Sequence, residues 1–254
     1  MLLEVKGLAK NFGGLKAIND LEFSVRKGEI LGIIGPNGAG KSTLFNLLTG
    51  ELEPSAGEII FEEIPVTGLP TYKLALLGIA RTYQTTRIFL SGTVFDNIMV
   101  GLIARTSHGA LAALGGRSRR KAIDTQLIDR YREVVRYIRL EEKSDTVAGE
   151  LGQEEQKRLA IGLALASDPK LLLLDEPTGG INIEEINLLM SIIREISQRG
   201  IAICLIEHKM KMVMELCERL IVLNYGVKIA EGTPSEVRGN QAAIKAYLGD
   251  EYAA

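Results

Sequence analysis

Residues 30–43 read ILGIIGPNGAGKST. The apolar run Ile30–Ile34 is of the kind that is buried on both faces of a parallel sheet. Glycine then recurs at 35, 38 and 40, and the stretch closes on Lys41-Ser42-Thr43. The spacing Gly35-x4-Gly40-Lys41-Ser42 sits between that strand and a helix-patterned stretch, STLFNLLTG, which is the context of a phosphate-binding loop. Gly38 and Gly40 admit backbone shapes that a β-carbon forbids. The backbone of Gly35, Asn37, Gly38, Ala39, Gly40, Lys41, Ser42 and Thr43 is then expected to wrap a phosphate chain. Its N–H groups point inward, helped by the positive end of the helix that starts near Lys41. Lys41 is expected to reach the β- and γ-phosphates, and the Ser42 hydroxyl to ligate Mg²⁺. The ligand class is a nucleoside triphosphate; the loop alone does not say which machine uses it.

The chain has 254 residues, 46% apolar and 24% charged. That suits one large α/β domain, or a domain with a sizeable insertion, and it argues against global disorder. A net charge of −2 gives no electrostatic reason to expect nucleic acid. Cys204 lies in the apolar run IAICLI and Cys217 in the helix-like KMKMVMELCERL. Both read as reduced, buried or half-buried thiols, and no Cys/His spacing suggests a metal site. The start, MLLEVKGLAK, mixes charge into its apolar run and does not read as a signal peptide. No apolar stretch reaches the ~20 residues of a membrane helix, so any membrane role is expected to run through a partner.

Along the chain, LLEVKGLAKNF and KAINDLEFSVRKGEI alternate as strands, with turns at Gly13-Gly14 and Lys27-Gly28. GEIIFEEIPV reads as a strand pair turning at Glu62-Glu63. The middle of the chain is mostly helix-patterned, with one loose segment, HGALAALGGRSRRK. Its basic residues 117–121 read as a solvated loop. KLLLLDEP and IAICLIEH return as apolar strands around the helical IEEINLLMSIIREISQRG, a β-α-β order that predicts a parallel sheet. RLIVLNYGVKIAEG reads as a hairpin turning at residues 224–226, and QAAIKAYLG as a C-terminal helix.

The strand LLLLDEP ends in two acids. Asp175, at the strand's C-terminal end, is expected to stand beside the loop and hold the water shell of Mg²⁺. Glu176, one residue on, points differently and can polarise an attacking water. His208 ends the next apolar run and is a candidate hydrogen-bond partner of the γ-phosphate. Gln84, in ARTYQ, is a candidate Mg²⁺ ligand and γ-phosphate sensor.

With these residues in place, the chain resembles the nucleotide-binding domain of an ABC ATPase over essentially its whole length. GPNGAGKST matches the Walker A motif, Gln84 the Q-loop, LLLLDE the Walker B strand with its following glutamate, and His208 the switch histidine. The resemblance implies an α/β fold: a P-loop parallel-sheet core with an N-terminal antiparallel β part and an inserted helical subdomain. Residues 1–84 and 166–254 would form the catalytic core, and residues 85–165 the helical, signature-bearing subdomain. Phe12 falls where the family keeps an aromatic that stacks on adenine, worth about 1 kcal/mol. A closer likeness is carried by IARTYQTTRIF, TVFDNIMVGL, the long insertion, IEHKMKMVMELCERLIVLNYGVKIAEGTPSEV and IKAYLG. It points to the ATP-binding subunit of branched-chain amino acid importers, with urea and short-amide importers close. That likeness implies ATP and Mg²⁺ as cofactors and two transmembrane permease subunits as partners. It also implies a second ATPase subunit in a heterodimer, and indirectly a substrate-binding protein. The place of work would be the cytoplasmic face of the membrane, peripherally.

One motif departs from the family. The signature, typically LSGGQ, falls on Leu151, Gly152, Gln153, Glu154 and Glu155 when counted back without gaps from Lys170. A competing register, with Gly152-Gln153 as the closing pair, needs two inserted residues, which would rotate the next helix by about 200°. In the ungapped register the serine is lost, and two carboxylates come near a γ-phosphate. The expected repulsion is about 1 kcal/mol per charge pair at 4 Å in water. Asn182 also stands where an Asp is common. Three readings follow: an importer's motor subunit, asymmetric and weak when paired with itself; a soluble ABC ATPase without a permease; or a non-hydrolysing subunit.

Overall fold

The computed structural model describes residues 1–84, 87–105 and 117–248. Two compact units emerge. One comprises Met1–Arg81, Lys170–Glu176 and Ser197–Ala254, and the other Thr82–Pro169 with Pro177–Ile196.

In the first unit, β1 (Leu3–Phe12) and β2 (Leu15–Val25) form an antiparallel hairpin through Gly13-Gly14. β4 (Ala56–Phe61) pairs with the other edge of β1, and β5 (Ile64–Pro65) follows. Glu62 and Glu63, between these two strands, both take left-handed backbone (φ 47° and 66°), the geometry of a two-residue hairpin turn. A second sheet runs β10-β9-β3-β8-β7-β6. It contains β3 (Ile30–Ile34), β6 (Ile79–Arg81), β7 (Leu171–Asp175), β8 (Ala202–Ile206), β9 (Arg219–Asn224) and β10 (Val227–Gly232). Every pairing in it is parallel except the β9–β10 hairpin. β3, β7 and β8 are buried at every residue, as unbroken apolar runs at the centre of a parallel sheet must be.

Helix α1 (Lys41–Leu48) sends Leu44, Phe45 and Leu48 into a core shared with Leu31, Ile33, Leu171 and Leu173 of the parallel sheet. Leu3, Val5, Leu8, Ile18 and Leu21 of the antiparallel sheet join it. Each such side chain contributes roughly 1.5–3 kcal/mol on burial. Together they fix α1, and with it the loop that precedes α1. Both cysteines are buried thiols; burial pushes Cys217 up to about 12 and raises Cys204 too, so neither is a ready thiolate. The outer helices of this unit are α2 (Thr71–Leu77), α7 (Met210–Leu216), α8 (Pro234–Arg238) and α9 (Gln241–Leu248). α2, β6 and α8 carry too few residues for the sequence period to announce them.

The second unit holds α3 (Val94–Arg105), α4 (Arg117–Tyr137), α5 (Gln153–Ala166) and most of α6 (Ile183–Gln198). Thr93 and Asp96 cap α3 reciprocally: Asp96 N–H donates to Thr93 Oγ1 at 3.1 Å, and Thr93 N–H to Asp96 Oδ2 at 2.9 Å. α3 and α5 approach closely at Gly101, where an added Cβ would lie 2.8 Å from Ala166 Cβ and 2.9 Å from Leu163 O. Asn182 starts α6 in the same reciprocal way: Glu185 N–H donates to its Oδ1 at 3.0 Å, and its own N–H donates to Glu185 Oε2 at 2.8 Å. That explains why Asn serves there as well as Asp.

Residues 117–121 open α4 rather than forming the loop expected from their charge. A basic run can be helical when the chain beyond it supplies the buried face, here Tyr131, Val134 and Val135. Residues 108–116 of the loose segment, the two residues before it, and Thr85 and Thr86 lie outside the described residues.

Asn97 on α3 is wholly buried. Its side chain accepts the Phe89 N–H at 2.8 Å and donates to Phe89 O (3.0 Å) and Thr93 O (2.9 Å). Asn97→Ala leaves the Phe89 N–H unanswered and takes one donor each from Phe89 O and Thr93 O, which keep the N–H groups of Gly92 and of residue 97, at a cost of about 2 kcal/mol. The expected drop in melting temperature is about 4–8 °C; thermal denaturation showing less than about 1 °C would contradict this assignment.

Candidate functional site

β3 ends at Ile34 and the chain turns at once into residues 35–40. Gly35 (φ 153°) has Leu223 O where a β-carbon would need to sit, 2.1 Å away. Gly40 (φ 102°) would meet Ala17 O at 2.6 Å. The loop therefore lies against the β9–β10 and β1–β2 hairpins at contacts that only glycine permits. It is stitched by Ala39 N–H to Pro36 O (3.2 Å) and by Gly226 N–H to Ala39 O (3.0 Å). Lys41, at the first turn of α1, is buried and donates to the loop's own carbonyls, Gly35 O at 2.7 Å and Pro36 O at 2.9 Å. Its cation thus already spans the mouth of the loop. Burial lowers the Lys41 pKa, opposed by the nearby charges of Glu176 and Asp175.

The strand order brings the other groups to the same edge. β7 pairs in parallel with β8, Asp175 opposite Ile206, and β8 pairs with β3, Ile206 opposite Ile33. The C-terminal ends of β3, β7 and β8 therefore lie side by side, the usual ligand edge of such a sheet. Asp175 is buried. Glu176, the next residue, takes left-handed backbone (φ 47°), and its N–H donates to Ile206 O at 2.9 Å. A non-glycine residue held this way is strained by roughly 1–3 kcal/mol. Here the strain turns Glu176 out of the strand direction that Asp175 follows. Glu176 Oε1 lies 2.9 Å from His208 Nε2, so with an ionised Glu176 that ring nitrogen carries the proton. His208 is itself set by Glu207, whose buried carboxylate accepts the N–H groups of His208 (2.9 Å) and Lys209 (3.2 Å). Glu207 was not singled out from the sequence; a lone acid between a buried strand and a candidate histidine was the available signal.

Phe12, Lys16, residues 37–43, Glu176, His208 and Tyr225 line one cleft of about 390 Å³. Phe12 stands 45% exposed at its rim, with Lys10 Nζ 5.1 Å from the ring centre. The expected loop residues other than Gly35 therefore share one cavity with Phe12, Glu176 and His208. Gln84 is an exposed bend residue of the second unit. Ser42 and Asp175 offer a hydroxyl and a carboxylate, the hard oxygen donors that suit Mg²⁺. Among the described residues no cluster of three His, Cys, Asp or Glu side chains forms a metal cage. An ion here would rely on water and phosphate for its remaining ligands, as Mg²⁺ usually does.

In the second unit, Leu151 is buried and Gly152 precedes α5 with extended backbone. The two carboxylates of this stretch do not project from the helix end as the sequence suggested. Glu154 is 7% exposed, with Oε1 2.5 Å from Arg158 Nε. Glu155 accepts from Lys143 Nζ at 2.5 Å and from Gly152 N–H at 3.1 Å. Burial works against ionising Glu155, but these bonds and Arg158 outweigh it and hold its carboxyl below the usual range. The expected repulsion of an incoming phosphate is thereby reduced. What the stretch lacks is the serine hydroxyl and the Gly152 N–H, already engaged by Glu155. Gln153 is exposed, and a β-carbon on Gly180 would come 2.8 Å from its Oε1.

A sequence profile described as ABC transporter matches residues 18–179, and one described as branched-chain amino acid ATP-binding cassette transporter matches residues 227–253. The chain is 38% identical to the high-affinity branched-chain amino acid transport ATP-binding protein LivG of Salmonella typhimurium, over 98% of both chains. It is 36% identical to BraF of Pseudomonas aeruginosa, a protein of the same description, again over 98% of both. Its fold is similar to the ADP conformation of MJ1267, an ATP-binding cassette of an ABC transporter. There the TM-score is 0.85 at 30% identity, covering 98% of this chain and 99% of that one.

Because burial lowers the Lys41 pKa, the cation needed for phosphate is lost at a pH below the ordinary lysine range. Affinity for metal-free ATP is expected to be full near neutrality and to fall as pH rises toward that lowered value. Fluorescence titration across alkaline pH checks this. A profile that stays flat until an unperturbed lysine titrates would contradict it.

Proposed function

The chain belongs to the ABC transporter ATPase family, and from that we propose that it is the ATP-hydrolysing motor of an importer for branched-chain or related amino acids. The observation that carries the reading is the cleft in which the glycine loop, Lys41, Glu176 and His208 meet below Phe12. ATP would seat its phosphates on the amides of residues 35–43 and its base on Phe12. Nucleotide entry would exchange the two Lys41–carbonyl bonds for bonds to phosphate oxygens. Glu176, turned out of line by its left-handed backbone, would take a proton from the attacking water. His208 Nε2–H would hold the carboxylate in place or donate to the γ-phosphate. Mg²⁺ would be held by Ser42, Asp175 and Gln84, and when bound it would neutralise developing charge on the phosphates.

The partners in this reading are two transmembrane permease subunits, a second ATPase subunit and, indirectly, a substrate-binding protein. Among the described residues no helix is long and apolar enough to cross a membrane. In the proposed importer the chain would attach peripherally at the cytoplasmic face, through residues 84–100. Phe89 supports that choice: the residue is 56% exposed while the buried Asn97 side chain holds its backbone. The division of labour would follow residues 1–84 and 166–254 for catalysis and residues 85–165 for signature and coupling.

The altered signature favours an asymmetric assembly. This chain's own phosphate loop would serve hydrolysis when a partner offers an intact signature, and its Leu151–Glu155 stretch would mainly hold the partner's nucleotide. The isolated chain would turn over slowly.

Glu176→Gln in the full complex is expected to lower kcat by about 10²–10⁴-fold while nucleotide binding persists. An unchanged rate would remove Glu176 as the base. Co-purification of the chain without any membrane subunit, from cells that make the whole system, would favour an ATPase not linked to a permease.

A further inference from the structure

The mechanism above gives no task to Arg81, a charged side chain buried beside Asp175. Arg81 ends β6, three residues before Gln84, and its side chain is 7% exposed. Its guanidinium donates through Nη2 to Asp175 Oδ2 at 2.8 Å, and the Asp175 side chain is also 7% exposed. Through Nη1 it donates to Asn46 Oδ1 at 2.6 Å. Its plane lies over Phe45, 5.5 Å from the ring centre, and Glu51 is 3.7 Å away at the outer side. Asn46 and Phe45 belong to α1, the helix that carries Ser42; Asp175 ends β7. One fork therefore spans the two elements that carry Ser42 and Asp175, two of the three oxygen donors proposed for Mg²⁺.

Resting on the ATP–Mg²⁺ reading, we infer that Arg81 is the positioning residue of the metal site. It fixes the Asp175 carboxylate at a set distance from the α1 helix and engages Oδ2, leaving Oδ1 to face the water shell of the ion. Mg²⁺ demands near-ideal octahedral geometry and tolerates little drift of its ligands. A planar fork with two fixed donor directions supplies that constraint, and the point charge of a lysine does not. Arg81 also keeps a buried carboxylate compensated while no cation is bound, so Asp175 is ready when ATP arrives. A purely structural ion pair would hold the fold and leave metal affinity alone.

Arg81→Lys in the full-length chain tests this, because it keeps the charge and loses the fork. The probe is Mn²⁺, read by electron paramagnetic resonance on the protein–ATP complex. Metal-free ATP binding is measured in parallel by fluorescence, and melting temperature by calorimetry. The expected result is Mn²⁺ affinity weaker by about tenfold or more, with metal-free ATP affinity within about twofold of the parent. Asn46→Ala, which cuts the other arm of the fork and leaves the ion pair, should move Mn²⁺ affinity in the same direction by less. It decides the matter if Arg81→Lys fails to fold. Unchanged Mn²⁺ affinity in the folded variants overturns the inference. So does a loss of metal-free ATP binding by the same factor as Mn²⁺. If the parent chain itself binds no Mn²⁺–ATP, the functional reading fails rather than the role of Arg81.

Discussion

Everything in the first unit depends on a run of backbone N–H groups that must point at an anion. The loop after β3 can do so only because Gly35 and Gly40 let it press against Leu223 O and Ala17 O, where a β-carbon would clash. Lys41 then sits inside the ring it helps to form, bonded to Gly35 O and Pro36 O. Such a loop is an anion site by construction: oriented dipoles, a helix N-terminus and one partly desolvated cation all favour phosphate.

The sheet supplies the rest. Parallel order places the ends of β3, β7 and β8 along one edge, so residues far apart in sequence arrive together. Two consecutive acids, Asp175 and Glu176, would point to opposite sides in a continuing strand. The left-handed turn at Glu176 breaks that alternation, and Glu176 lines the cleft with the loop and His208. His208 is then held from behind by Glu207 and from the front by Glu176. In the second unit the same logic of satisfied charge shapes the signature stretch: Glu154 and Glu155 fold back onto Arg158 and Lys143.

Much of this was legible in the sequence because it is local. The glycine spacing, the apolar strands, the hairpins at Glu62-Glu63 and Tyr225-Gly226, and the turn at Gly13-Gly14 all announce themselves within a few residues. The gathering of Phe12, Glu176 and His208 around the loop was legible through the family likeness and the β-α-β order. Partners of charge were not. Nothing near Arg81 in the chain says that it will meet Asp175 and Asn46; Glu154 and Arg158 stand four residues apart on one helix, a spacing that pairs them, but that spacing does not say that the pair is buried. Carboxylates read as repulsive in one dimension became compensated in three. Residues 117–121 failed as a loop for a related reason, since the apolar face of their helix lies a dozen residues further on.

The chain is an ATPase whose work is coupled to transport, by membership of its family. The direct test of the account is calorimetric titration of the purified chain with ATP and Mg²⁺, alongside Lys41→Ala. The account predicts one site per chain in the parent. It predicts an affinity loss of about tenfold to a hundredfold in the variant, the worth of a charged hydrogen bond to phosphate. No binding by the parent, or equal affinity in the two proteins, would contradict it.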